Sequence, residues 1–262
     1  MTVITLTTDF GLRDSYVAIM KGVILSICPS VRIIDISHEV RKFDVLSGAF
    51  ILASAFSYFP KGTIHVGVVD PGVGTERKAI AIKTKNYFFI GPDNGLLTLA
   101  SKIDGIVEIR LIENEELFLQ NVSSTFHGRD IFAPVAAHIA RGVKVEEIGR
   151  RIDDFINLSL EFGKIEEGKI KGKIVHIDRF GNLITSIEGK LLLDMIDYGG
   201  KVTMELGDEH FELPLLKSYG YAKEGDLLLT IGGSGFVEIS VNKGSAFKRL
   251  GASVGEKVIL VL

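Results

Sequence analysis

The apolar positions of this chain change their period part-way along it. In the first half, the short β-branched runs 3–8, 31–36 and 63–69 end in polar or glycine-rich turns, as buried parallel strands do. Between the first two, apolar residues recur at helical spacing over 14–27, with Asp14 placed to cap the start. Segment 43–59 is the helical counterpart between the second and third runs. A strand pair follows at 79–83 and 87–90, then a short helix near 96–101 and another over 130–140. Strand–helix alternation of this kind builds a parallel sheet covered by helices.

After Gly163 the helical period fades. Segment 164–173 is dense in charge and glycine and reads as a linker. Short alternating runs then come at 173–177, 183–187, 201–206, 210–213, 226–231, 236–241 and 257–261, separated by turn residues. The expected fold class is α/β. Residues 1–165 form an N-terminal α/β domain with a central, mostly parallel sheet, and residues 170–262 form a C-terminal all-β barrel domain.

Composition removes several partners. Lys and Arg number 30 against 33 Asp and Glu, a net charge of -3, and no basic face is concentrated enough to hold a nucleic-acid backbone. The longest apolar stretch, 43–59, is interrupted by Asp44, Ser47, Gly48, Ser54 and Ser57 and is too polar and short for a membrane span. Cys28 is the only cysteine, so neither an internal disulfide nor a cysteine-rich zinc site is available. With no evident signal peptide, a reducing cytoplasm is the expected location.

Ligands of open parallel sheets bind beyond the carboxyl ends of the strands. Three aspartates fall there: Asp9 after the first run, Asp70 after the third, and Asp93 in the turn Gly91-Pro92-Asp93-Asn94-Gly95. Strand-end aspartates ordinarily cap turns, and Asp93 is assigned that role. Asp9 and Asp70 should project into one crevice. The glycines beside Asp70 open no phosphate-binding motif, whereas a carboxylate suits the two hydroxyls of a ribose. The six histidines are scattered, with no paired metal-ligand motif, so no metal and no cofactor are expected; a mixed Asp/His site at the strand ends is the alternative. His127 stands apart, in the polar loop Thr125-Phe126-His127-Gly128-Arg129-Asp130 at a helix entrance.

Four segments in order carry a resemblance: Thr8-Asp9-Phe10-Gly11 with Asp14; Asp70-Pro71-Gly72 with Arg77; Phe126-His127-Gly128-Arg129-Asp130; and Asp178-Arg179-Phe180-Gly181-Asn182. Together they resemble the S-adenosyl-L-methionine (SAM) hydrolases (adenosine-forming), also called SAM hydroxide adenosyltransferases, relatives of the enzymes that fluorinate or chlorinate the same substrate. The resemblance spans essentially the whole chain. It implies an α/β domain followed by a β-barrel, assembly as a homotrimer with SAM held between subunits, and water as nucleophile. The family's Asp–Arg–His set falls on Asp70, Arg77 and His127. Asp9 would hold the ribose hydroxyls, while Asp14 and Asp178 would lie near the methionine amino group. Phe180 would pack on the adenine, Asn182 would meet its edge, and Phe43 would line the site. Ser234 would meet the methionine carboxylate, and Val241 and Asn242 would approach the adenine.

A sulfonium leaves as a neutral thioether, so hydrolysis needs neither a general acid nor a metal at the leaving group. It needs a water in line with C5′ and a route for its proton. Of the three residue types, histidine titrates nearest neutrality, so His127 is expected as base or relay, with Asp70 and Arg77 orienting. The alternatives are a halogenase, a SAM- or adenosine-binding protein without turnover, and a metallohydrolase.

Overall fold

The computed structural model describes residues 2–158 and 160–262, and the chain divides into two compact units, Met1–Ser159 and Leu160–Leu262. The first contains, in order, β1 (Val3–Thr8), α1 (Tyr16–Ile27), β2 (Arg32–Ser37), α2 (Val45–Ala55), β3 (Ile64–Val68), β4 (Ala79–Thr84) and β5 (Phe88–Pro92). These are followed by α3 (Thr98–Asp104), β6 (Ile106–Leu111), α4 (Ala133–Ala140) and β7 (Arg151–Ile152). The sheet order is β2-β1-β3-β5-β4-β6-β7. Strands β2, β1, β3 and β5 run parallel, while β4, β6 and β7 pair antiparallel. The sheet is therefore mixed, its parallel half carrying the strand ends that matter below.

Both faces of this sheet are covered, which is why its strands read as unbroken apolar runs. One core joins Met20 and Ile24 of α1 with Val135 and Ala136 of α4 over Leu6, Val66 and Val68. The other joins Leu52 of α2 and Ala100 of α3 with Ile80, Ile82 and Phe89. Helix α1 starts at Tyr16, with Ser15 rather than Asp14 at its cap and no side-chain bond to the first turn. Asp14 is exposed.

The second unit holds β8 (Lys164–Glu166), β9 (Lys169–Ile177), β10 (Leu183–Glu188), α5 (Gly189–Leu193), β11 (Lys201–Leu206), β12 (Glu209–Pro214), β13 (Leu227–Ile231), β14 (Phe236–Val241), α6 (Ala246–Leu250) and β15 (Lys257–Val261). The main path is β12-β11-β15-β9-β10-β14-β13, antiparallel throughout, with β8 on β9. A bridge from Leu215 to Leu229 nearly closes it into a barrel around Ile174, Leu183, Met204, Ile239 and Leu260.

The stretch 164–173 is not a linker but a hairpin. Its turn is Glu167-Gly168, both at positive φ (53° and 77°), the geometry of a tight two-residue hairpin. Alternation explains the charge: Ile170 and Ile174 fill the barrel, and Lys169, Lys171 and Lys173 occupy the other face. No helix among the described residues is long and apolar enough to cross a membrane.

Candidate active site

Strands β1 and β3 are hydrogen-bonded neighbours, with Thr8 opposite Val68. Asp9 and Asp70 therefore leave the same edge of the sheet. Strand β4 runs the other way and begins where β5 ends, Ala79 opposite Pro92, which returns Arg77 to that edge. Its guanidinium grips Asp70: Nε donates to Oδ1 at 3.0 Å and Oδ2 at 2.9 Å, and Nη2 donates to Oδ2. Both side chains are largely buried, 10% exposed for Arg77 and 4% for Asp70. Phe132 lies under the guanidinium, 5.2 Å from it to the ring centre.

His127 completes the set from fifty positions away. It precedes one turn of π-helix, Gly128–Phe132, that runs into α4. The loop is pinned by Asp130, whose Oδ2 accepts the Ser123 N–H at 2.8 Å, and by Phe126, which packs edge-on against Phe10 and Tyr16. Gly74 lies hard against it: a Cβ there would stand 2.1 Å from the Ser124 carbonyl oxygen, and the residue has φ +75°. Arg77 Nη2 lies 3.0 Å from His127 Nδ1. Arginine can only donate, so Nδ1 accepts and the neutral ring carries its proton on Nε2. Burial and the Arg77 cation push the His127 pKa below the ordinary imidazole value, against the pull of Asp70 and Asp130. The lone pair a base would use is thus already occupied, which argues against the base role expected of His127.

Beside this set, Asp9, Phe10, Asp14 and His38 line a cleft of about 670 Å³. Asp9 Oδ2 accepts the Phe43 N–H at 2.9 Å, holding Phe43 at φ +64°, a conformation costly for a residue with a Cβ. The Phe43 ring is exposed and is not part of the cleft wall. His38, one of the six scattered histidines, carried no signal in the sequence. It is buried, with Nδ1 2.8 Å from Thr8 Oγ1, and that oxygen also accepts the Phe10 N–H. His38 Nε2 stands 3.1 Å from Asp35, which pairs with Lys21. Burial works against the Asp35 charge, but the hydrogen bonds from Lys21 and His38 outweigh it and lower its pKa. A polar chain thus braces the turn that presents Asp9.

The second unit has its own cavity, about 830 Å³, lined by Asp178, Phe180, Asn182, Tyr219, Val241 and Asn242 among others. Asp178 organises its entrance loop: Oδ1 accepts the N–H groups of Phe180 and Asn182, each at 2.9 Å, and Oδ2 accepts the Asn182 side-chain amide at 2.8 Å. Phe180 is left 77% exposed, an apolar face free to stack. Ser234 sits in the exposed turn between β13 and β14 and does not line this cavity. Tyr219, not anticipated from sequence, does. Asp93 is structural: buried, it accepts the Ile156 N–H at 2.8 Å, and burial raises its pKa. Among the described residues no three His, Cys, Asp or Glu side chains are grouped to hold a metal ion.

Residues 4–149 match the SAM hydroxide adenosyltransferase N-terminal domain and residues 172–259 match its C-terminal domain. The chain belongs to the SAM hydroxide adenosyltransferase family. It is 37% identical to a protein named (R)-S-adenosyl-L-methionine hydrolase from Methanocaldococcus jannaschii, over 100% of this chain and 96% of that one. A fluorinase from Actinoplanes sp. is more distant, 29% identical over 92% of this chain and 91% of its own. Among solved structures, an uncharacterized conserved protein from Thermotoga maritima superposes with TM-score 0.94 at 41% identity, both chains covered completely. As a member of the SAM hydroxide adenosyltransferases, this chain has its Asp–Arg–His set assembled within the N-terminal unit.

Proposed function

We propose that this protein hydrolyses SAM to adenosine and L-methionine by in-line attack of water on the ribose C5′. The observation that carries the reading is the hydrogen-bonded set Asp70–Arg77–His127 at the carboxyl edge of the sheet in a member of this family. Relatives at this identity are named for the R epimer at sulfur, and the same epimer is the proposed substrate here.

The chemistry follows from charge. SAM brings a full positive charge at sulfur and loses it as the C5′–S bond breaks. Asp70 neutralises Arg77, so the set presents no net cation to a cationic substrate. The water hydrogen-bonds to Nε2–H of His127, which orients one of its lone pairs towards C5′. As the O–C5′ bond forms, the water proton passes to the one lone pair on Asp70 Oδ1 that Arg77 leaves free, and then to solvent. Methionine leaves as a neutral thioether and adenosine gains the hydroxyl. Holding water and substrate in register contributes on the order of 7–11 kcal/mol in favourable intramolecular cases. Asp9 keeps one oxygen free of the Phe43 contact for the ribose hydroxyls. Asp14 and Asp178 take the methionine amino group, Ser234 its carboxylate, and Phe180, Asn182, Val241 and Asn242 the adenine.

The test is incubation of purified protein with each sulfur epimer of SAM in water labelled with ¹⁸O, followed by mass spectrometry. Adenosine carrying the label at its 5′ oxygen, formed together with methionine, is the expected product. Unlabelled adenosine would rule out water attack at C5′, and intact SAM would leave a binding protein.

We further propose a homotrimer in which the N-terminal half-site of one subunit meets the C-terminal half-site of its neighbour. The carriers of the site lie on two separate compact units, and each unit has its own cavity. Mixing and refolding an Asp70→Asn chain with an Asn182→Ala chain is expected to restore part of the activity that each lacks alone, because mixed trimers contain some intact pairings. No recovery from trimers shown to be mixed by mass would contradict the shared site.

A further inference from the structure

Strand β14 alternates as a barrel strand should, with Val237, Ile239 and Val241 in the core. Glu238 therefore belongs on the outer face, where a carboxylate is ordinarily solvated, yet it is only 7% exposed. Among the described residues it pairs with no lysine or arginine. Its hydrogen bond runs to Tyr219, whose hydroxyl donates to Oε2 at 2.7 Å. A buried carboxylate without a cation is costly, and burial with the nearby Asp178 charge raises the Glu238 pKa, against the Tyr219 bond. Glu238 is also fitted closely to its surroundings. A Cβ on Gly232 would stand 1.7 Å from Oε1, so the turn that carries Ser234 closes directly over the other carboxylate oxygen.

What that bond holds is a piece of the cavity wall. Tyr219 opens a single 3₁₀ turn, Tyr219–Tyr221, in the segment between β12 and β13. The turn itself is closed by backbone bonds, Tyr221 N–H to Ser218 and Ala222 N–H to Tyr219. Those bonds set the shape of the turn but not the direction of the Tyr219 ring. The ring lines the same cavity as Phe180 and Asn182. The Tyr219 hydroxyl, donating to Glu238 Oε2, is what fixes that direction. Burial and the Glu238 partner raise the phenol pKa further, so the hydroxyl remains a donor at any working pH.

We propose that Glu238 is a positioning residue for substrate binding, acting through the Tyr219 hydroxyl to hold that ring as the wall against which the nucleoside part of the substrate packs. The inference rests on the reading of this cavity as the adenosine side of a SAM site. It assigns Glu238 to binding and not to the chemical step, since Asp70, Arg77 and His127 lie on the other unit.

The test uses Tyr219→Phe, Glu238→Ala, Glu238→Gln and the double variant Tyr219→Phe/Glu238→Ala. SAM turnover is measured by product formation and adenosine binding by calorimetry, with circular dichroism confirming the fold. Tyr219→Phe and Glu238→Ala are each expected to raise KM and the adenosine Kd roughly tenfold, with kcat at saturation little changed. Glu238→Gln keeps an acceptor oxygen and is expected to stay within about threefold of the native protein. The double variant should be no worse than the poorer single one, because both remove the same bond. Adenosine binding unchanged in a folded Tyr219→Phe protein overturns the proposal, as do effects that multiply in the double variant. If Glu238→Ala does not fold, Tyr219→Phe and Glu238→Gln alone decide it. A native protein that neither binds adenosine nor consumes SAM removes the functional reading first and this inference with it; native binding with unaffected variants removes this inference alone.

Discussion

Asp70→Asn is expected to lower kcat on SAM by about 10²–10⁴-fold, the range typical of losing a positioned proton acceptor, with KM moved far less. The carboxylate receives Arg77 through three N–H contacts. An amide offers a single acceptor oxygen and turns its own N–H₂ towards the guanidinium. Arg77, 10% exposed, would then be a largely buried charge without a counter-charge, so the variant should also melt lower. His127 gives the companion result. Its pKa lies below the ordinary imidazole value through burial and the Arg77 cation. Above that lowered value the ring is neutral and Nδ1 accepts from Arg77; below it, the proton on Nδ1 faces a guanidinium and the set opens. Turnover should therefore be flat through neutrality and fall only in acid, below the unperturbed imidazole pKa of about 6.5. His127→Asn, which keeps an acceptor for Arg77 and cannot titrate, should lose that acid limb while retaining part of the activity. A native kcat that instead climbs with pH through the ordinary imidazole range would return the base role to His127 and take it from Asp70.

Gly74→Ala should be the most damaging change outside the reacting groups. The residue has φ +75°, and a Cβ would lie 2.1 Å from the Ser124 carbonyl oxygen. The backbone conformation alone costs an alanine about 1–2 kcal/mol, and the clash forces the 70–77 loop away from the 123–127 loop. Arg77 and His127 sit on those two loops and meet at 3.0 Å, so a shift of an ångström breaks their bond. Displacements of that size cost roughly 10²-fold in rate. The melting temperature should drop by at least about 2 °C from the backbone conformation alone, given about 2–4 °C per kcal/mol for domains of this size, and further through the clash. Thermal melts and initial rates on the same preparation check both parts. A Gly74→Ala protein with native Tm and native kcat would show that the two loops do not depend on their close contact.

Much of the site is legible because it follows from local rules. An aspartate directly after a buried parallel strand must emerge at the carboxyl edge, and Asp9 and Asp70 do so after β1 and β3. The loop Asp178–Asn182 is equally local, since a short carboxylate bonds the N–H groups two and four residues on. The barrel strands announce themselves by period two. The same period was present in Lys169–Ile174, but its lysines fall on the outer face and resemble linker charge until a partner strand is known.

The sequence by itself determined the strand–helix alternation of the first half short of β6 and β7, the change from α/β to barrel, and which carboxylates stand at strand ends, because each depends on neighbours a few residues apart. Only the tertiary structure decided what those carboxylates meet. Arg77 reaches Asp70 because β4 turns back antiparallel to β5, and His127 arrives from fifty positions away because α4 packs across the sheet. Phe43 takes a left-handed backbone because Asp9, thirty-four positions earlier, binds its N–H. The direction of each hydrogen bond, and with it the neutral Nε2–H form of His127, exists only once donor and acceptor share a site. Periodicity records which face of an element is buried; it holds no information about which distant polar group will face it there.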